Sequence, residues 1–200
     1  MNFYIKEVEY CYAAVVELDY TLGLGPNGSN PLRVRISPAA LLVEIMFSQQ
    51  EQKAIEEKLE QLTKVKKGIL TPQELADLIT QRRVLWFEEN KKTVLSKYAE
   101  LPDEEKAYRI IYFDHMKINP EHSKMSRIGN GKIRIESYDF CPYIEACRKL
   151  GLDTRFVCKD IGEPSIQRVS ELINPNLKFR RNYQNIRPHN CNFCEEYFEF

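Results

Sequence analysis

Gly129-Asn130-Gly131-Lys132-Ile133-Arg134-Ile135-Glu136-Ser137-Tyr138 is the stretch at which the apolar pattern of this chain changes period. Gly-Asn-Gly supplies turn backbone, and the seven residues after it alternate as a strand with one buried face does. Upstream, the apolar residues recur at helical spacing. Ser37-Pro38 offers an N-cap and a first-turn proline, and Leu41, Leu42, Ile45, Met46, Ile55, Leu59 and Leu62 follow as one stripe, ended by Gly68. Thr71-Pro72-Gln73-Glu74 is a capping box with proline at the first position, predicting a helix to about Tyr98 that buries Leu75, Leu78, Ile79, Leu85 and Trp86. A third helix starts near Pro102-Asp103-Glu104-Glu105, where carboxylates suit the dipole, and turns Tyr108, Ile111 and Tyr112 inward.

Downstream of the turn, short helices are expected at about 142–150 and 164–173. Two further alternating runs, Leu177 to Tyr183 and Phe193 to Phe200, close the chain. The fold class that follows is α+β: a helical N-terminal two-thirds packed with a C-terminal antiparallel sheet and short helices. It is expected to form a single domain over 1–200, with 1–128 mainly helical and 129–200 a cysteine-rich module. Residues 3–22 fit helix or strand spacing and lean towards helix, and the Gly- and Pro-rich stretch 23–31 interrupts regular structure.

The 29 basic and 29 acidic side chains cancel, leaving no whole-molecule field to grip a phosphate backbone, so nucleic-acid binding is disfavoured. No apolar run is long enough to cross a bilayer, and the N-terminus lacks the basic region and apolar core of a signal peptide. The expectation is a cytoplasmic protein without membrane association. In that compartment six cysteines read as free thiols, metal ligands or catalytic groups rather than disulfides.

Five of the six lie in the last 60 residues. Cys11 and Cys147 fall on packing faces and read as buried, inert thiols. Cys141 precedes Pro142 at a predicted helix start, where the dipole lowers a thiol pKa. Cys158 is followed by Lys159 and Asp160, charged neighbours of the kind a catalytic thiol uses or a loop edge carries. Cys191 and Cys194 form a C-x-x-C pair, which with Cys141 and Cys158 would make a four-thiolate zinc site. If residues 193–200 are a strand, Cys191 and Cys194 point to opposite faces, which argues against that pairing. His189 stands two residues before Cys191 as a candidate general base. His115 and His122 lie in a polar stretch and read as solvated. Arg180 and Arg181 alternate in direction, so one faces the interior, as a carboxylate clamp or in a salt bridge to a glutamate.

The stretches Cys158-Lys159-Asp160, Ile173 to Arg181 and Cys191-Asn192-Phe193 resemble the L-2-amino-thiazoline-4-carboxylic acid hydrolase family. Cys158 and Asp160 stand for that family's first cysteine and acidic position. Phe179 and Arg181 match its Phe-x-Arg strand, and Cys191 and Phe193 its closing element. Asn182 replaces a threonine of the pattern, Pro188-His189-Asn190 a glycine turn, and Asn192 an aspartate; were that aspartate catalytic, this chain would bind without turnover. The resemblance implies C–N bond hydrolysis of a small, carboxylate-bearing thiazoline-like ring. Arg181 and Cys141 would bind it, Asp160 or His189 would activate water or a thiol, and Cys158 or Cys191 would serve as nucleophile or zinc ligand. The other readings are a non-catalytic small-ligand-binding or sensing module and a cysteine-ligated metal protein.

Overall fold

Each of the predicted start signals that can be inspected sits where a helix begins in the computed structural model, which describes residues 47–200. The expectations for 3–22, 23–31, Ser37-Pro38 and Cys11 lie outside the described residues. By compactness the chain divides into Met1–Gln52 and Lys53–Phe200; the second unit holds helices and sheet together, with no division at 128.

Helix α1 (Gln49–Lys66) does not run on from a start at Ser37: residue 47 is a bend, and the helix opens at Ser48. There the Glu51 carboxylate accepts from the Ser48 amide at 2.8 Å, and the Ser48 hydroxyl accepts from the Glu51 amide at 3.3 Å. This reciprocal cap is a local start signal in its own right. Gly68 ends the helical region with φ of 69°, a value that suits glycine. Helix α2 (Pro72–Lys97) carries the Thr71–Glu74 capping box as predicted. Its facing differs from expectation: Leu78 and Leu85 are exposed, while Leu75, Ala76, Phe87 and Val94 are buried.

Helix α3 (Asp103–Arg109) opens at the acidic turn and continues into a π-helical segment, Ile110–His115, with Tyr108, Ile111 and Tyr112 all buried. Glu104 and Glu105 are buried too. Arg127 reaches both, at 3.2 and 2.5 Å, so these carboxylates hold a strand as well as a helix start. A short 3-10 turn, Pro120–His122, leads into β1 (Ser123–Gly129), a strand the sequence reading did not anticipate. Asn130-Gly131 then reverses the chain into β2 (Lys132–Ser137). Gly131 has φ of 66°, and a Cβ there would lie 2.8 Å from the Phe200 ring, so the turn needs glycine on both counts.

Helix α4 (Pro142–Leu150) ends on Gly151 in the left-handed conformation. The following residues, to which the sequence reading assigned no element, form a helical turn α5 (Thr154–Phe156) that passes through a second π segment, Val157–Gly162, into α6 (Glu163–Ile173). β3 (Lys178–Arg181) and β4 (Cys194–Glu199) complete an antiparallel sheet of order β1-β2-β4-β3. The α+β class is therefore observed.

Two apolar clusters hold this unit. One gathers Phe87, Val94, Tyr108, Ile111, Tyr112, Ile133, Ile135, Ile166, Val169, Phe179 and Phe198 between helices and sheet. The other gathers Leu62, Leu75, Ala146, Cys147, Val157 and Ile161, with Ile79 and Tyr143 against it. The two long helical runs serve both: Leu75 and Ile79 of α2 face one cluster and Phe87 and Val94 the other, as Val157 and Ile161 precede Ile166 and Val169. Arg83 lies on α2 between these sets. A polar seam is thus written into the helix facing.

Candidate functional site

Strand β4 directs Phe198, Glu196 and Cys194 to one face, because side chains two apart share a side. In register, Phe198 lies between Ile133 and Phe179, and the next row is Ile135, Glu196 and Arg181. One step along the strand, the apolar core becomes an ion pair. Arg181 Nε and Nη2 each lie 2.5 Å from Glu196 Oε1, with side chains 9% and 6% exposed. Tyr112, from the first π segment, donates its hydroxyl to Glu196 Oε2. Arg181 Nη1 donates to the Cys158 carbonyl at 3.1 Å, an acceptor within the second π segment. Both π segments therefore deliver a group to this row; such segments are frequent at functional sites.

One of the two arginines faces inward as expected, and it is Arg181; Arg180 is exposed and pairs with Glu199 at 2.7 Å. The inward guanidinium is already engaged by Glu196, which is the salt-bridge alternative rather than an open clamp. The groups around it carry shifted acidities. Burial pushes the phenols of Tyr112 and Tyr143 up, the latter beyond the usual range despite the Arg83 charge beside it. Burial likewise pushes the Cys158 thiol well up, against the pull of Arg181, with Cys141, Cys194 and Glu196 adding to the rise. Cys141 does cap α4 by position, but its side chain makes no capping hydrogen bond. Burial and Cys194 raise its pKa, overriding the two backbone amides that favour the thiolate; the dipole lowering expected from sequence is outweighed.

Cys141, Cys158 and Cys194 are thus within electrostatic reach of one another and, through Cys158, of Arg181. Cys191 lies at the margin. It interacts with Cys194 and Arg187, and its Sγ donates to the carbonyls of His189 and Phe193 at 3.3 and 2.9 Å. His189 turns its ring away, Nε2 standing 3.1 Å from Asp153 Oδ1, so it meets Cys191 only through the main chain. Cys147 is core, its thiol pushed up to about 12 by burial. Among the described residues no group of three or more His, Cys, Asp or Glu is placed to hold a metal ion, so the zinc set Cys141, Cys158, Cys191 and Cys194 is not assembled.

Asp160 and Lys159 line an open groove of about 590 Å³ with Thr71, Pro72, Gln73, Glu163, Pro164 and Gln167. Tyr183 donates its hydroxyl to Glu163, tying the end of β3 to the start of α6. Asp160 therefore faces the groove, whereas Cys158 belongs to the seam beneath the same π segment.

The residue most distinctive of the seam escaped the sequence reading. Arg83 has its Nε and Nη1 buried without a hydrogen-bond partner. Its charge is felt by Tyr143, Arg181, Tyr112 and Glu196, and burial lowers its pKa to about 10, leaving it charged near neutrality. The available signal was its position: four residues after Ile79 and four before Phe87, on the face that packs.

His115, expected in solvent, is half-buried with its ring edge-on to Trp86 at 4.6 Å. Burial, Arg83 and Lys117 lower its pKa from 6.5 to about 4. The unfolded state then binds the proton more readily, so stability is full above pH 6.5 and is lost as pH falls towards 4. After allowance for the ring's partial exposure, the loss should be about 2 kcal/mol. The lowered carboxylates, such as Asp153 and Glu195, start from 3.8 and 4.5 and add to the loss as pH nears 5, so the histidine dominates between pH 6.5 and about 5.5. Urea melts across that range should show the fall in wild type and a flat profile in His115→Phe. An equal slope in both would remove His115 as its source.

Compared with known proteins, the chain matches no family model, no curated protein and no solved structure. No helix among the described residues is long and apolar enough to cross a membrane.

Proposed function

We propose that the protein is a binding or sensing module for a small, carboxylate-bearing cyclic molecule of thiazoline type, seated in the polar seam. The observation that carries this is the meeting of Cys141, Cys158 and Cys194 with Arg181, Glu196 and Tyr112 between two apolar clusters. Apolar walls with few converging polar groups are the usual make-up of a small-molecule site. Binding is favoured over thiol attack because burial keeps the Cys141 and Cys158 thiols protonated, and a protonated thiol is a poor nucleophile.

The test is the alkylation rate of each cysteine against pH, with and without 2-amino-thiazoline-4-carboxylate. Cys141, Cys158 and Cys147 should react more slowly than a free thiol at pH 8, and the ligand should slow Cys141 and Cys158 further. A Cys158 that titrates below about pH 7 would speak for a nucleophile, and the absence of any protection would remove the binding reading.

Hydrolysis is the second reading, favoured by Asp160, whose placement on the open groove, two residues along the chain from Cys158, gives water a carboxylate base. In that reaction water adds at the ring carbon, the C–N bond breaks, and the departing nitrogen takes the proton. Mass spectrometry should then show the substrate gaining one water, and Asp160→Asn should abolish the gain. No ring-opened product with wild type leaves binding alone.

A further inference from the structure

The charges of the seam do not balance. Arg181 and Glu196 neutralise each other at 2.5 Å. The phenols of Tyr112 and Tyr143 and the thiols of Cys141 and Cys158 are held in their neutral forms by burial, and so is the His115 ring. Arg187 acts on Cys141 and Glu57 on Tyr143, and the cation whose polar atoms are left over is Arg83, with Nε and Nη1 buried and without a hydrogen-bond partner. An arginine cannot shed its proton near neutrality, so it cannot relieve the cost of burial as a lysine or carboxylic acid would. Native proteins rarely leave such a group unsatisfied, and the exceptions call for a missing partner.

Glu196 does not fill that role. Its Oε1 takes two guanidinium nitrogens of Arg181 and its Oε2 takes the Tyr112 hydroxyl. The cation has neighbouring phenols, but a protonated phenol offers no charge to balance it. Nε and Nη1 lie on different edges of the guanidinium, so each offers a single charge-assisted hydrogen bond to an anionic oxygen rather than one half of a parallel fork. One uncompensated charge calls for one negative charge, which a monocarboxylate supplies and a dianion exceeds.

We infer that Arg83 anchors the carboxylate of a small monoanionic ligand in the seam between the two apolar clusters, with Arg181 kept by Glu196 as a fixed wall of the site. This rests on the ligand-binding reading above and sharpens it: the anchor lies on α2 rather than on β3, and the ligand is a monocarboxylate.

The experiment uses the full chain, with cyclopentanecarboxylate and its neutral isostere cyclopentanecarboxamide as probes and inorganic phosphate as the dianion, at ionic strength matched with sodium chloride. The carboxylate at a hundredfold excess over its Kd should raise Tm by roughly 5–10 °C and slow alkylation of Cys158; the amide and phosphate should do neither. Arg83→Met should melt at or above the wild-type temperature without ligand, since it removes a buried unpaired charge, and should weaken carboxylate binding on the order of 10–100-fold.

Equal protection by acid and amide would overturn the anionic anchor while leaving a ligand site in place. No effect of either would remove both. A stronger response to phosphate would overturn the monocarboxylate class. A large fall in Tm for Arg83→Met, with carboxylate affinity unchanged in the folded fraction, would make Arg83 a structural residue.

Discussion

Glu196→Gln is expected to destabilise the protein by about 3–5 kcal/mol, the usual cost of removing one partner from a buried ion pair. For a chain of this size that is a fall in Tm of roughly 6–20 °C. Three groups depend on this carboxylate: Arg181 by two nitrogens, Tyr112 by its hydroxyl, and Arg83 by charge alone. An amide of the same shape keeps one acceptor oxygen but leaves two guanidinium ions buried with no negative charge between them. The contrasting case is Glu199→Gln, which loosens Arg180 and Lys132 on the outer face, where Arg180 is 68% exposed. That change should cost about 1 kcal/mol or less. Thermal melts of the two variants should differ several-fold in shift. The double change Glu196→Met with Arg181→Met should recover part of the loss, because paired removal leaves fewer stranded charges. If Glu196→Gln melts within a degree or two of wild type, the row is not the closed electrostatic unit described here.

Phe198→Ala should cost a comparable amount, about 3–5 kcal/mol, by a different route. Phe198 is fully buried, lies between Ile133 and Phe179 in register, and meets the Phe179 ring at 5.1 Å and the Tyr112 ring at 6.4 Å. Truncation removes the transfer free energy of the ring and leaves a hole under Tyr112, whose hydroxyl must still reach Glu196. The denaturant midpoint should fall accordingly, while Leu85→Ala, at 62% exposure, should stay within about 0.5 kcal/mol. The pair also tests the corrected facing of α2. A large loss at Leu85 with little at Phe198 would mean that the helix packs by the stripe first read from sequence.

That misreading shows where local pattern stops. Leu78 and Leu85 are as apolar as Leu75, and spacing alone admits more than one stripe on a helix as long as α2. The neighbours choose between them: Leu62 with Val157 at one end, and Ile111 with Val169 at the other, take Leu75, Phe87 and Val94. The stripe so chosen passes through position 83 and buries an arginine. Capping chemistry was legible because it is local. Thr71 and Glu74 meet within one turn, and Asn130-Gly131 reverses the chain on its own. Ser48 and Glu51 form the same kind of cap, and the motif was present to be read. The π segments at 110–115 and 157–162 had no comparable signature, since an i to i+5 ladder is stabilised by what packs against it.

The site divides along the same line. Alternation in β3 required one of Arg180 and Arg181 to face inward without saying which, and alternation in β4 carries Glu196 and Cys194 inward with Phe198. The sequence also located Cys141 at a helix start, but it assigned that thiol a lowered pKa from the dipole, because burial cannot be seen from neighbours in the chain. His189 and Cys191 are two residues apart in sequence, yet Asp153 draws the ring away.

By itself, then, the sequence determined the α+β class, the caps and turns, and that one of Arg180 and Arg181 points inward, because each depends on residues within a turn or a strand of one another. The tertiary structure decided which face of α2 is buried, which thiols meet, and that Arg83 keeps two buried nitrogens without a hydrogen-bond partner. Those outcomes depend on how much water is excluded and on charges brought together from α2, β3, β4 and two π segments, and no spacing within one segment encodes that sum.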